Sequence, residues 1–150
     1  MSSSYCNLIY HMVFSTKGRK PWIDDHIEAR LHEYLGGAIR GEGGVSFHVG
    51  GMEDHVHILA KLRQTKAICN VLRDIKANSS GWVHETFPGY EDFAWQSGYG
   101  AFTVSASQIE SVAAYIDNQR EHHKHMTFQE EFIQLLEKHG IEYDERYLWD

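Results

Sequence analysis

The chain has 150 residues, 42% of them hydrophobic; that length supports one core and is short for two domains of ordinary size. The N-terminus lacks a basic start followed by a long apolar run, no stretch of about 18 apolar residues occurs, and Cys6 and Cys69 form no CxxC pair; export, membrane insertion, a disulfide framework and a cysteine zinc site are not expected, and a reducing cytoplasm is. The formal charge is −7, but residues 1–80 carry ten Lys and Arg against eight Asp and Glu and residues 81–150 four against thirteen, so the acidic total does not exclude a phosphate-binding surface in the first half.

From Asn7 to Ser15, Leu8, Tyr10, Met12 and Phe14 alternate with Asn7, Ile9, His11 and Val13, the two-residue period of a strand, placed centrally. Asp24 and Asp25 precede Ile27, Leu31 and Leu35, predicting a capped amphipathic helix to about Arg40 that stops at the glycines from Gly41. Val45 to Val49 and His55 to Leu62 alternate on either side of Gly50-Gly51-Met52-Glu53-Asp54, a hairpin pattern. Ile68, Val71, Leu72, Ile75, Trp82 and Val83 recur at helical spacing between Lys66 and Thr86, with Lys66, Asn70 and Arg73 opposite.

Trp95 to Val104 reads as a fourth strand. Ser107 then caps a third helix whose Ile109, Val112, Ala113 and Ile116 face a core. Beyond His125 follow an amphipathic piece with Phe128, Phe132, Leu135 and Leu136 and an aromatic tail of Tyr143, Tyr147 and Trp149. The order βαββαβα predicts an α+β, ferredoxin-like (RRM-like) fold, an antiparallel sheet with helices on one face and a C-terminal helical and aromatic tail. One domain is expected over residues 1–150, with a core at about 5–125 and an extension at about 126–150.

Two imidazoles two apart on a strand project from the same face, so His55 and His57 could grip one ion, Val56 pointing away between them. The same spacing suits a half-exposed strand face. Tyr115 and Gln119, four apart, share one side of the third helix at the border of its apolar stripe, where they would meet the rim of the sheet. His122-His123-Lys124-His125 reads as a helix end, positive charge against the negative end of the helix dipole, in preference to a second metal cluster. Glu53 and Asp54 either tune the histidines or shape the hairpin.

The chain resembles the single-tyrosine HUH transposases, which include those of the smallest insertion sequences and the REP-associated tyrosine transposases. The resemblance spans nearly the whole chain. It rests on His11-Met12-Val13-Phe14-Ser15-Thr16-Lys17, Asp54-His55-Val56-His57, Ile75-Lys76 with Ser79-Ser80, Trp95-Gln96-Ser97-Gly98-Tyr99 and, most specifically, Tyr115-Ile116-Asp117-Asn118-Gln119. It implies a ferredoxin-like fold, with His55, His57 and Gln119 as metal ligands and Tyr115 as nucleophile. It also implies nicking and rejoining of hairpin-bearing single-stranded DNA through a 5′-phosphotyrosine link that conserves the phosphodiester energy. Mg²⁺ is the expected metal, with Mn²⁺ suited by its tolerance of imidazole. One tyrosine per chain implies a homodimer. The sequence names no base for the tyrosine.

Lys66, Arg73 and Lys76 on the second helix, and Lys17, Arg19 and Lys20 after the first strand, are candidate phosphate contacts or ordinary solvated charges. Tyr99 and Phe102 suit either a stacked base or core packing. Two further readings stand beside the transposase. One is a host-adopted relative; the other is a non-catalytic ferredoxin-like module binding single-stranded nucleic acid, which would not need histidines opposite a tyrosine and glutamine.

Overall fold

A computed structural model describes residues 3–149. Four antiparallel strands form one sheet in the order β2-β3-β1-β4: β1 (Leu8–Ser15), β2 (Val45–Met52), β3 (His55–Leu62) and β4 (Gly100–Val104). β1 is central as expected, pairing Ser15 with His55 on one side and Ile9 with Val104 on the other. Helix α1 (Glu28–Gly41) connects β1 to β2 and α2 (Ile68–Thr86) connects β3 to β4. Each crossover skips one strand, which is the ferredoxin-like arrangement that the element order predicts. Among the described residues no helix is long and apolar enough to cross a membrane, and both cysteines are free and exposed.

The two-residue period of the strands divides the sheet into two apolar faces. Met12, Phe14, Val56, Ile58 and Ala60 pack under Leu31, Leu35 and Ile39 of α1 and Val71, Leu72 and Ile75 of α2. The expectation of helices on one face holds for this pair. The opposite face is also covered: α3 (Ile109–Asp117) sets Ile116 on Ile9 and Leu59. Beside it, α5 (Phe128–Lys138) lays Phe128, Phe132, Leu135 and Leu136 over Val13 and Phe102, with Tyr143, Leu148 and Trp149 closing the edge. Thr127 and Glu130 form a reciprocal capping box that fixes the start of α5.

Local departures from the sequence reading have physical causes. β2 continues through Gly50 and Gly51 to Met52, leaving Glu53 and Asp54 alone as the turn. The glycines serve close approach instead: a Cβ on Gly50 would lie 2.8 Å from Ile116 Cγ2 and 3.0 Å from Ile116 O. Helix α3 is thus seated directly on the β2 backbone.

The fourth strand begins at Gly100 rather than Trp95 because the Gln96 side chain takes the Ser15 N–H at 2.6 Å, where a ladder partner would stand, leaving Trp95 as an isolated bridge to Thr16. Asp24 caps the turn before α1 through the His26 N–H rather than the helix itself. Ser107 falls in a 3-10 turn and provides no side-chain cap to α3.

Candidate metal and nucleophile site

The alternation of β3 that buries Val56 and Ile58 under α1 and α2 turns His55 and His57 to the other face, where both are fully buried. The half-exposed strand face is therefore not what they form. Each ring is oriented from behind. His55 Nδ1 lies 2.7 Å from Asp54 Oδ1, and His57 Nδ1 lies 2.7 Å from Nε2 of His11 on neighbouring β1. Asp54, contributed by the two-residue turn, thus does more than shape the hairpin.

Tyr115 and Gln119 approach from above. The expected single third helix breaks at Asn118, so that Tyr115 ends α3 and Gln119 begins a short α4 (Gln119–His122). Gln119, buried, places Oε1 2.8 Å from His55 Nε2. Tyr115, half-buried, sets its ring 5.8 Å from that of His57.

Two residues outside the expected set complete the cluster. Glu131 of α5, 1% exposed, directs its carboxylate into the centre. Its Oε1 lies 3.1 Å from His57 Nε2, 3.3 Å from His55 Nε2 and 3.0 Å from His123 Nε2. Its Oε2 accepts from Gln119 Nε2 at 2.8 Å and from the Tyr115 hydroxyl. His123, expected as part of a helix end, instead turns its ring inward, with Nε2 also 2.9 Å from Gln119 Oε1. Glu131 had a readable signal. It lies three residues after Phe128 and four before Leu135, on the apolar stripe of an amphipathic helix, where an acid is rarely buried without partners.

Burial and charge act on these groups in opposite directions. Burial would lower His55, but hydrogen bonds to Asp54 and Glu131 push it up to about 9. Burial lowers His57, and with the neighbouring His57 it takes His11 down to about 3. Burial would raise Glu131, yet hydrogen bonds from His123, His55 and His57 hold it well below the usual carboxylate range. Tyr115 is pushed well above its ordinary value, first by burial and then by the Glu131 charge.

The donor set fits a cation. His55, His57 and Glu131 each offer a ligand atom, all within 4.8 Å of one another. Nδ1 of His55 faces a carboxylate, so the neutral ring carries its proton there and points an Nε2 lone pair at the carbonyl oxygen of Gln119. At neutral pH His55, raised to about 9, meets that oxygen with a second proton on Nε2, and a bound cation would take the place of that proton. Separations of 2.8–3.3 Å among these atoms are close to the roughly 3 Å between adjacent ligands of an ion bound at about 2.1 Å.

The basic candidates divide. Lys17, Arg19 and Lys20 follow β1, and Arg19 helps line a cleft of about 610 Å³ with Asp54, His123 and Met126, its guanidinium 5.4 Å from the Trp149 ring. Lys66, Arg73 and Lys76 lie on or just before α2, across the sheet from the histidines. There Lys66 pairs with Glu42 at 2.6 Å, Arg73 meets Asp74 at 3.2 Å, and Lys76 donates to Gly98 O at 2.8 Å, lowered to about 8 by burial. Phe102 belongs to the C-terminal core; Tyr99 is exposed. A second cleft, of about 460 Å³, opens beside Tyr115 between β4, α3 and α5 and is lined by His11, Phe102, Ser105, Ser111 and Lys138.

A family model described as "Transposase IS200 like" matches residues 4–119. Solved structures share the fold, two of them as follows. A protein of Deinococcus radiodurans R1, provisionally described as a transposase, is 23% identical with a TM-score of 0.65 over 79% of this chain and 96% of its own. A REP-associated tyrosine transposase, solved bound to a REP hairpin, is 13% identical with a TM-score of 0.60 over 82% of this chain and 73% of its own. No curated protein matches the chain.

Proposed function

Because the chain belongs to the IS200-like transposase family, we propose that it is a transposase that nicks and rejoins single-stranded DNA, with Tyr115 as nucleophile and a divalent ion, Mg²⁺ or Mn²⁺, held by His55, His57 and Gln119. The observation that carries this reading is the convergence of the Tyr115 hydroxyl and the paired histidines on one buried carboxylate, Glu131. A merely structural tyrosine has no need of that neighbourhood. It also favours a catalytic protein over a module that only binds nucleic acid.

In this reading the Tyr115 oxygen attacks the scissile phosphorus, forming a 5′-phosphotyrosine bond while the bond to the 3′ oxygen breaks and that oxygen leaves as a hydroxyl. A later 3′-hydroxyl reverses the step and joins strands. The bound ion supplies Lewis-acid stabilisation of charge on the scissile phosphate. Tyr115, raised above its ordinary value, is protonated at neutral pH and must lose its proton as it attacks. Its hydrogen bond to Glu131 Oε2 orients the hydroxyl at the site. The Tyr115 ring lies 5.8 Å from that of His57 in the same chain, the proximity that attack in cis requires.

Substrate and assembly follow in the same reading. The REP-hairpin complex of the REP-associated relative favours a hairpin-bearing single strand. Lys17, Arg19 and Lys20 contact phosphates near the site, and Lys66, Arg73 and Lys76 contact DNA away from it, across the α2 face. Two strand ends and one tyrosine per chain call for a homodimer. Residues 1–150 act as a single unit, the extension from about residue 126 belonging to the site through Glu131.

The test is a denaturing gel for a covalent protein–DNA adduct formed on single-stranded hairpin oligonucleotides with Mg²⁺ or Mn²⁺. We expect an adduct that a chelator prevents and Tyr115→Phe abolishes while hairpin binding persists. An undiminished adduct in Tyr115→Phe would overturn the nucleophile. Tight hairpin binding with no adduct from the unaltered chain would favour the binding module or a catalytically retired transposase.

A further inference from the structure

We propose that the metal centre of this chain extends beyond three ligands: His123 and Glu131, from the segment after α3, also bind the ion, making a centre of three imidazoles, a carboxylate and the Gln119 carbonyl that selects a transition ion such as Mn²⁺ over Mg²⁺. This rests on the metal site proposed above and deepens it. Three imidazole Nε2 atoms, those of His55, His57 and His123, stand 3.0–3.3 Å from a single oxygen, Glu131 Oε1. They share one focus.

The backbone carbonyl behind His123 selects its ligand form. Its Nδ1 lies 2.7 Å from the backbone carbonyl of Met126, which can only accept, so the neutral ring must keep its proton on Nδ1. Its Nε2 then presents a lone pair to two oxygens, Gln119 Oε1 at 2.9 Å and Glu131 Oε1 at 3.0 Å. Asp54 imposes the same tautomer on His55. In their neutral form, two rings held by acceptor-only partners thus aim Nε2 lone pairs at these oxygens; without an ion a second ring proton bridges each contact, and a divalent cation would take the place of those protons. One divalent cation at the focus satisfies all of them together, and a backbone carbonyl or carboxylate behind the ring is the usual device that orients a ligating histidine.

The two oxygens of Glu131 are divided between tasks. Oε1 faces the imidazoles of His55, His57 and His123, and Oε2 faces the Tyr115 hydroxyl and the Gln119 amide, with His122 Nε2 farther off at 3.6 Å. Ligation through Oε1 leaves Oε2 against the nucleophile. Three imidazoles also decide the metal class, since Mg²⁺ prefers an all-oxygen octahedron and retains its water, whereas imidazole suits the later divalent ions.

The probe is Mn²⁺ alone, added to the full chain after chelation and followed by electron paramagnetic resonance, with pulsed spectra used to count coupled imidazole nitrogens. We expect one tight Mn²⁺ per chain with three coupled nitrogens, a hundredfold excess of Mg²⁺ failing to displace it, and a loss of affinity of about tenfold or more in each of His123→Asn and Glu131→Gln. Circular dichroism checks that both variants fold. The nitrogen count on the unaltered chain decides the matter should either fail to do so. Tight Mn²⁺ binding with two coupled nitrogens and unchanged affinity in the variants would overturn this inference and leave the three-ligand site standing. Absence of Mn²⁺ binding by the unaltered chain would overturn both.

Discussion

Gly50→Ala tests the link from packing to site. Gly50 has no unusual backbone angle, so the substitution acts through its new methyl group alone. That Cβ would lie 2.8 Å from Ile116 Cγ2, about 0.7 Å inside an ordinary carbon–carbon contact of roughly 3.5 Å. It would also lie 3.0 Å from the Ile116 carbonyl oxygen. A rotamer change of Ile116 relieves the first contact but not the second, which is backbone. Helix α3 must therefore retreat by several tenths of an ångström, at an overpacking cost of about 1–3 kcal/mol.

Tyr115 precedes Ile116 and Gln119 follows three residues later, so both move with it. Since a misplacement of about 1 Å can cost about a hundredfold in rate, the adduct-forming rate should fall by roughly ten- to a hundredfold. The assays are the urea midpoint and the single-turnover rate of adduct formation. Gly37→Ala is the control, because its Cβ meets only Arg40 Nη2 at 3.6 Å within α1 and should stabilise by about 0.5–1 kcal/mol. Gly50→Ala matching the unaltered chain in stability and rate would refute the argument that this glycine seats the helix.

Phe132→Ala should cost about 3–5 kcal/mol by urea denaturation, since the ring is 5% exposed and packs on Phe128 and Trp149; a cost below about 1 kcal/mol would mean that α5 is not docked. His32, lowered to about 4 by burial and by His48 and Arg120, stays neutral in the folded chain while the unfolded chain takes up a proton near pH 6.5. Its contribution is therefore complete above about pH 6.5 and lost as pH falls towards 4, at most about 3 kcal/mol. Urea midpoints between pH 7 and 4.5 should show a shallower acid slope in His32→Gln, and an equal slope would reject this assignment. Mn²⁺ at about a hundred times its Kd should stabilise the unaltered chain by about 2.7 kcal/mol and His55→Ala or His57→Ala by much less. Equal thermal shifts would remove the histidines from the metal site.

The sequence by itself determined whatever is carried by local period and motif. The two-residue alternation of β3 placed His55 and His57 on one face, helical spacing marked α1 and α2, and the strand order followed from their succession. The same reading brought Tyr115 and Gln119 onto one side of the third helix, and they remain together across the break at Asn118. The motifs Asp54-His55-Val56-His57 and Tyr115-Ile116-Asp117-Asn118-Gln119 pointed to the family that the match over residues 4–119 shows.

Only the tertiary structure decided what covers the histidines and what stands between them and the tyrosine. Glu131 meets His57 across 74 residues of chain, and such a contact leaves no trace in local periodicity. It exists because the apolar stripe of α5, docking Phe128, Phe132, Leu135 and Leu136 on the sheet, carries the carboxylate inward with it. His123 eluded the sequence for a related reason. Four adjacent charged or titratable residues read equally well as a helix end, and only the short turn into α5, with Met126 O fixing Nδ1, turned one ring of that run towards the site.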